Sequence, residues 1–217
     1  MPFNSDWFNK MERRFGRYAI RNLMLYIVTA MGVVFIVDYL PFAGQSVASW
    51  LIFSRDLILK GQFWRLFTFA FLPPNTSLLF LIFSLYFYWL IGSSLENRWG
   101  AFKFNLFYLC GLIGTILSGM ITGFATNAYL NLSLFFAFAI LYPNFELMIF
   151  FMLPVKIKYL AYISAAFFLY SLITASWADK LALIVALINL ILFFWRDFMV
   201  IINNINRRRQ FRDAWKR

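Results

Sequence analysis

Histidine is absent from the 217-residue chain, and Cys110 is the only cysteine. A chain without histidine has no imidazole base for a serine or cysteine nucleophile, and no imidazole ligand for a metal ion. A single cysteine also excludes an internal disulfide. These absences exclude histidine-dependent hydrolases, Cys/His zinc sites and disulfide frameworks, and we expect the protein to use no cofactor and no metal.

Charged residues are scarce as well. They make up 13% of the chain, against 63% hydrophobic and 22% aromatic residues, and the mean hydropathy is +0.72. Soluble domains are about a quarter charged, and this chain has too little polar surface to cover its apolar side chains. The composition predicts an integral membrane protein, and the length suits one compact bundle better than two domains.

Six apolar runs, each bounded by charges or turn residues, predict six membrane spans. They are Leu23–Leu40, Thr76–Ile91, Phe104–Phe124, Tyr129–Tyr142, Tyr159–Trp177 and Leu181–Trp195. The three shortest would cover only about 21–24 Å of a hydrocarbon core of about 30 Å, so either the helices extend further or the bilayer is locally thin. Two other apolar segments, Val47–Leu59 and Leu147–Leu153, suit the membrane interface better.

The basic residues are distributed unequally about these spans. Sixteen of the 20 lie on the side that holds both ends of the chain, and four (Arg55, Lys60, Arg65 and Lys180) lie on the other. Because basic loops stay in the cytoplasm, we expect both termini there. This gives a basic N-terminal segment at 1–21, a transmembrane domain at 22–197 and a basic tail at 198–217. The net charge of +11 suits anionic membrane lipids as partners, and no stacking module favours nucleic acid.

Five segments follow one another in an order and spacing that is typical of one family. They are Gly61–Leu72 (GQFWRLFTFAFL), Gly92–Gly100 (GSSLENRWG), Phe104–Gly114 (FNLFYLCGLIG), Ala137–Asn144 (AFAILYPN) and Leu153–Lys158 (LPVKIK). Together they resemble the rhomboid superfamily, which includes rhomboid proteases and Derlins, over roughly residues 61–158. The resemblance implies an all-α, six-helix rhomboid-like bundle with an interfacial, membrane-embedded first loop, and we expect it in a bacterial cell membrane.

The catalytic positions of the family are altered. Rhomboid proteases carry a serine in a GxSG motif at the start of the fourth span, a histidine in the sixth, and a histidine and an asparagine in the second. Here the second-span positions fall on Phe80 and Ser84, residues 125–131 contain no GxSG, and Asp179 lies near the sixth-span position. A serine without a base is a poor nucleophile. The resemblance therefore implies a pseudoprotease, closer to Derlins, that binds transmembrane segments of client proteins.

Several residues are candidates for structural roles. Trp64 and Arg65 suit either an interfacial tryptophan with a snorkelling arginine, or an arginine that binds backbone carbonyls of the embedded loop, which the resemblance implies. We favour the second, because an arginine at membrane depth needs partners. Gly111 and Gly119 belong to a four-residue repeat of small residues that predicts close helix packing. The full structural set is Trp64, Arg65, Glu96, Gly100, Gly111 and Gly119.

Five polar residues fall at membrane depth and are the candidates for client binding. They are Ser84, Asn127, Asn131, Ser133 and Asn189. One interpretation is hydrogen bonding between helices, worth about 0.6–2 kcal/mol each. The other is a polar cavity, open to the outside, at the place where a protease keeps its active site. We favour hydrogen bonding between helices, and the cavity remains the alternative.

Other functions remain as alternatives. Asp38 and Asp179 could form the pair of an intramembrane aspartate protease, but both lie at the outer ends of spans without a Gly-x-Gly-Asp context. Cys110 is a candidate nucleophile, but the chain offers no base that would activate its thiol. A small transporter or channel is disfavoured by the lack of an inverted repeat. We therefore expect no enzymatic activity, with a transporter or a protease of unrecognised chemistry as the alternatives.

Overall fold

The computed structural model describes residues 6–39, 46–74, 77–149 and 153–194. The first elements are helix α1 (Asp6–Phe15), a 3-10 turn (Gly16–Tyr18) and helix α2 (Leu23–Tyr39). The axes of the two helical segments differ by 42°. Asn22 makes this bend, since its φ of 55° is a left-handed conformation that asparagine tolerates better than most residues.

A segment of short helices follows, which we call the loop segment (residues 46–74). It contains helices α3 (Val47–Leu51), α4 (Arg55–Leu59) and α5 (Arg65–Thr68), and it ends in a 3-10 turn at Phe69–Phe71. The interfacial segment predicted at 47–59 thus forms two helices of five residues each. Six large apolar side chains of the loop segment stay exposed, namely Trp50, Ile52, Leu59, Phe63, Trp64 and Phe67.

The long helices are α6 (Leu78–Trp99), α7 (Ala101–Thr122), α8 (Ala128–Leu141), α9 (Ile157–Thr174) and α10 (Trp177–Phe194). Helix α6 continues well past the predicted end at Ile91, because nothing breaks it before Gly100, whose φ of 86° favours glycine. The predicted ends at Leu40 and Trp195, the predicted start at Thr76 and the basic tail at 198–217 lie outside the described residues.

The boundary between the last two helices was predicted wrongly. Helix α9 ends at Thr174, and Trp177 belongs to α10 rather than to the preceding span. Ser176 caps α10, because its hydroxyl accepts the backbone N–H of Asp179 (3.3 Å) and donates to the Asp179 carboxylate (2.8 Å). The charges at the start of α10 had placed this boundary four residues too late.

In the described part of the chain, four helices are long and apolar enough to cross a membrane: α6, α7, α9 and α10. A fifth is obtained if the bent pair α1–α2 is counted as one span. Helix α8 has 14 residues and would reach only about 21 Å along its axis. The prediction of a multi-pass helical membrane protein is confirmed, and the count of six spans stays a prediction.

The predicted all-α fold omits a small β-hairpin. Strands β1 (Glu146–Ile149) and β2 (Leu153–Lys156) pair antiparallel, with Glu146 opposite Lys156 and their charged groups 3.8 Å apart. The apolar segment predicted at 147–153 falls in this hairpin, and residues 150–152 lie outside the described part. Pro154 explains why no helix forms here, since proline breaks a helix but is tolerated at the edge of a sheet.

The core of the bundle is aromatic at one end. The ring of Trp99 packs on Phe107 (centroids 5.4 Å apart) and on Phe194 (5.6 Å), and Phe107 packs on Phe193 (5.0 Å). These contacts join α6, α7 and α10. Helix α6 also packs against α2 and α8. Helix α9, by contrast, is peripheral, since two of its 18 residues are buried, against eight of the 22 residues of α7.

The bundle has two ends of different composition. At the end we call the basic end, α1 meets the start of α7 through Glu12 and Lys103 (3.2 Å), and the Trp99–Phe194 contact places the end of α10 there too. At the opposite end, the loop end, the backbone N–H of Arg55 donates to Gly123 O at the end of α7 (3.2 Å). Helix α1 and the last described residues therefore lie at the same end of the bundle.

Candidate functional site

Arg65 joins two of the short helices at the loop end. Its side chain is buried, and its Nη1 donates to the backbone oxygens of Ser49 (2.9 Å) and Ile52 (2.7 Å). Its Nε donates to Oε1 of Gln62 (2.6 Å). The hydrogen bonds that an anchoring role requires are thus present, and they run from α5 to the C-terminal end of α3.

Neighbouring side chains complete this cap on α3. Thr68 Oγ1 donates to the backbone oxygen of Leu51 (3.2 Å), and Trp64 Nε1 donates to that of Trp50 (3.3 Å). The last carbonyls of any helix lack partners within the helix. Here Trp64, Arg65 and Thr68 supply a donor to every carbonyl from 49 to 52, so the WRLFT stretch acts as one capping unit.

The loop segment is also tied to the ends of the long helices. Nδ2 of Asn127 donates to the backbone oxygens of Ala70 (3.2 Å) and Leu72 (2.8 Å). Asn127, predicted as a client-binding residue, therefore attaches the start of α8 to the end of the loop segment. A β-carbon at Gly119 would lie 2.7 Å from the Phe53 ring and from Ala125, so the segment packs closely against α7.

Asp179 lies beside the start of α8. Its carboxylate accepts a hydrogen bond from the Tyr129 hydroxyl (2.9 Å) in addition to that from Ser176. The stretch that corresponds to GxSG and the residue near the family's sixth-span histidine are thus adjacent in space. The carboxylate thus accepts hydrogen bonds from a tyrosine on α8 and from the serine that caps α10.

Asp38 is engaged elsewhere. Its two carboxylate oxygens accept the Ser46 hydroxyl (2.8 Å) and the backbone N–H of Ala48 (3.1 Å), which fixes the start of α3 to the end of α2. Both aspartates that the sequence offered as a pair are therefore used in capping. In the described residues, no three His, Cys, Asp or Glu side chains lie close enough together to hold a metal ion.

Three of the predicted client-binding residues are buried inside the bundle: Asn131, Ser133 and Asn189. Ser133 Oγ donates to Leu130 O (2.7 Å), and Nδ2 of Asn189 donates to Phe107 O (3.4 Å), which links α10 to α7. The side-chain oxygens Oδ1 of Asn131 and of Asn189 are both buried without a hydrogen-bond partner among the described residues. Ser84 and Asn127 are half-buried. A client would touch the buried three only if helices separated, so they do not line an open groove.

The predicted structural residues on α6 and α7 lie at close helix contacts. A β-carbon at Gly111 would meet Leu130 Cδ1 at 2.5 Å and Asn189 Nδ2 at 2.9 Å. Glu96 accepts the backbone N–H of Asn22 (2.7 Å), and Gly100 makes the turn into α7. The contact of α1 and Asn22 with this turn was not foreseen, since the basic N-terminal segment showed no signal beyond its charge.

No family model matches the chain. The chain is similar to Rhomboid protease GlpG from Salmonella newport (strain SL254), with 29% identity over 85 residues, which is 39% of this chain. The matched part spans 28% of the length of that relative. The similarity supports a relationship to the rhomboid superfamily. This is the same superfamily that the five sequence segments resemble.

Proposed function

We propose that the protein is a catalytically inactive, Derlin-like member of the rhomboid group that binds transmembrane segments of client membrane proteins. Through that binding it influences their insertion, stability or turnover. The observation that carries the proposal is the environment of Asp179, which bonds to Tyr129 and Ser176 near the position where the resemblance expects a histidine. The chain has no histidine to replace it.

The surface that we assign to a client lies between α6 and α9, over α8. Helix α6 contacts α8 through the rings of Phe87 and Phe135 (5.9 Å), and α9 contacts it through Phe168 and Phe136 (6.1 Å). Helices α6 and α9 thus flank α8, and α9 is the least buried long helix. A client helix that packs between α6 and α9 would meet the shortest of the apolar helices, where the bilayer has to thin.

The loop segment is proposed to lie in the membrane interface beside this surface. Trp50, Phe63, Trp64 and Phe67 are exposed in the chain alone. Aromatic side chains of this kind favour the headgroup level of a bilayer. The six apolar helices α2 and α6–α10 would then be the six spans, with the loop end and the basic end on opposite faces of the membrane.

Photocrosslinking in cells tests client binding. With p-benzoylphenylalanine at position 86 on α6 or 167 on α9, both exposed aromatic sites, we expect mass spectrometry to recover membrane proteins crosslinked through their transmembrane segments. Position 36 on α2, also exposed, is the matched control and should give few such products. Equal recovery from all three positions, or recovery from none, would contradict the proposal.

A second prediction concerns proteolysis. Because the described serines have no histidine base and Ser176 serves as a helix cap, we expect no cleavage of a transmembrane rhomboid substrate and no specific labelling by a fluorophosphonate probe. An active rhomboid protease in the same proteoliposomes is the positive control. Labelling at one serine, lost when that serine is replaced by alanine, would show an unforeseen catalytic pair.

A third prediction concerns orientation. We propose that the basic end faces the cytoplasm, since Lys10, the four arginines between positions 13 and 21, and Lys103 lie there among the described residues. In a Cys110→Ser background, Lys10→Cys and Gln210→Cys should resist an impermeant thiol reagent in intact cells, and Lys60→Cys, exposed at the loop end, should react. Reaction of either of the first two from outside would reverse or break this topology.

A further inference from the structure

The segment from Lys10 to Arg21, here called the N-terminal segment, is held in a defined position at the basic end. Glu12 pairs with Lys103 on α7 (3.2 Å), and the chain directly after the segment is fixed by the bond from Asn22 N–H to Glu96 (2.7 Å). Glu12 is the only acidic residue between positions 10 and 21. Once it is paired, the remaining charges of the N-terminal segment are all positive.

These positive charges point outward from the bundle. Arg13, Arg14, Arg17 and Arg21 are all exposed. Large apolar side chains lie between them, with Phe15, Tyr18 and Ile20 exposed by 45%, 67% and 51%. A surface that alternates arginine with exposed aromatic and aliphatic side chains is typical of helices that bind at the membrane interface.

Two of the arginines are paired with their aromatic neighbours. The Arg17 guanidinium lies 4.8 Å from the centre of the Tyr18 ring and donates to its hydroxyl (2.8 Å), and Arg14 lies 5.6 Å from the Phe15 ring. This pairing leaves most of the five guanidinium donors of each arginine available to an anion. Phosphate is the anion that an arginine binds with two parallel hydrogen bonds.

Two of the arginines lie close to the start of the apolar helix α2. Arg17 and Arg21 precede Leu23, the first residue of α2, by six and two residues, and the helical segments on either side of this break differ by 42° in direction. In a membrane that α2 enters at Leu23, both side chains would therefore lie near the headgroup layer.

We propose that the N-terminal segment is a binding site for anionic phospholipid headgroups, in which Arg14 and Arg17 hold the phosphate and Phe15 and Tyr18 rest at the edge of the acyl chains. The site differs from the surface between α6 and α9, because it lies at the basic end and depends on charge. It does not rest on the proposed client-binding function.

The test measures which lipid the full-length protein retains. Protein in detergent is mixed with equal amounts of phosphatidylglycerol and phosphatidylcholine, and native mass spectrometry gives the ratio of the two bound lipids. We expect the wild type to favour phosphatidylglycerol on the order of 25-fold, since each of the two arginines near an anionic surface contributes about fivefold. The double variant Arg14→Gln/Arg17→Gln should lower the ratio by about that factor, to near unity.

Matched variants make the result specific. Lys60→Gln/Lys180→Gln removes two charges at the loop end and should leave the lipid ratio unchanged. Arg14→Lys/Arg17→Lys keeps the charges at the basic end and should keep most of the preference for phosphatidylglycerol. An equal loss in the loop-end variant, or no loss in the Arg14/Arg17 glutamine variant, overturns the proposal. Displacement of the lipid by about 10 mM inorganic phosphate would show that the site binds free anions rather than lipid headgroups. That result would also overturn the proposal.

A salt titration of the wild type keeps the test valid if a variant folds poorly. Because an electrostatic site near the surface is screened over about 10 Å at 0.1 M and about 3 Å at 1 M salt, the preference for phosphatidylglycerol should fall towards unity over that range. A preference that persists at about 1 M salt would exclude the arginine site.

Discussion

Arg65→Ala is expected to lower the free energy of unfolding by about 2–3 kcal/mol in a given detergent. The side chain is 5% exposed and donates to two backbone oxygens of α3 and to Gln62. Alanine would leave the carbonyls of Ser49 and Ile52 buried without this donor. Because those carbonyls end a helix, no intrahelical group replaces the guanidinium.

Two further variants separate anchoring from simple solvation of the charge. Arg65→Lys should recover only part of the loss, since an ammonium group cannot reproduce the planar fork that reaches Ser49, Ile52 and Gln62 together. Arg55→Ala is the matched control on the same loop segment. Its side chain is 42% exposed, makes one long bond to Ile121 O (3.5 Å) and pairs with the exposed carboxylate of Asp56 (3.6 Å). Because exposed interactions of this kind contribute little, we expect a loss below about 0.5 kcal/mol.

Thermal melting of the four proteins in one detergent provides the measurement. Wild type, Arg65→Lys, Arg65→Ala and Arg55→Ala are compared at the same protein and detergent concentrations. Suppose that Arg65→Lys melts at the same temperature as the wild type, and that Arg65→Ala lowers the melting temperature no more than Arg55→Ala does. In that case Arg65 only snorkels to the headgroups, and the anchoring interpretation is wrong.

The long helices were predictable because a backbone in lipid has to satisfy its own hydrogen bonds, so long apolar runs become helices. Their ends were less predictable where charged residues belong to the helix. Helix α6 continues through Glu96 and Arg98, and α10 begins before Asp179. Hydropathy ends a span at its first charges, whereas a helix ends at a cap such as Ser176 or Gly100.

The candidate site was predictable in its residues and less so in their partners. An arginine beside an apolar segment had to find acceptors, but only the fold shows that they are the terminal carbonyls of α3. For Asn131 and Asn189 the sequence could not separate a cavity from the interior, because both positions face other helices. The contact of Glu12 with Lys103 joins residues 91 positions apart, and neither side has a local signal for it.

Helix packing at Gly92 leads to the last prediction. A β-carbon at this position would overlap Cβ and Cγ of Met24 on α2. Cβ of Met24 is fixed to the helix backbone, so a change of rotamer cannot clear the whole overlap and α2 has to move away from α6. We expect Gly92→Ala to lower the free energy of unfolding by about 1–3 kcal/mol, the usual cost of overpacking a core.

Gly32→Ala is the matched control, since Gly32 is a helical glycine on the other side of the same α2–α6 interface. Its added β-carbon would lie 3.7 Å from Leu85 Cδ1, an ordinary contact. Alanine should therefore be neutral or stabilising there, by up to about 1 kcal/mol from helix propensity. Equal melting of Gly92→Ala and Gly32→Ala would show that α2 and α6 are not closely packed at Gly92.

The overlap at Gly92 also predicts a specific coupling with Met24. Met24→Ala alone should destabilise, because Met24 is buried and leaves a cavity. The double variant Met24→Ala/Gly92→Ala should lose less free energy of unfolding than the sum of the two single variants. The reason is that the methyl group added at position 92 enters the space left by the thioether of Met24. A coupling of at least about 0.5 kcal/mol in this direction is the expected result. Alanine at position 24 keeps Cβ, so strict additivity would show that the overlap with Cγ of Met24 contributes nothing to the cost of Gly92→Ala.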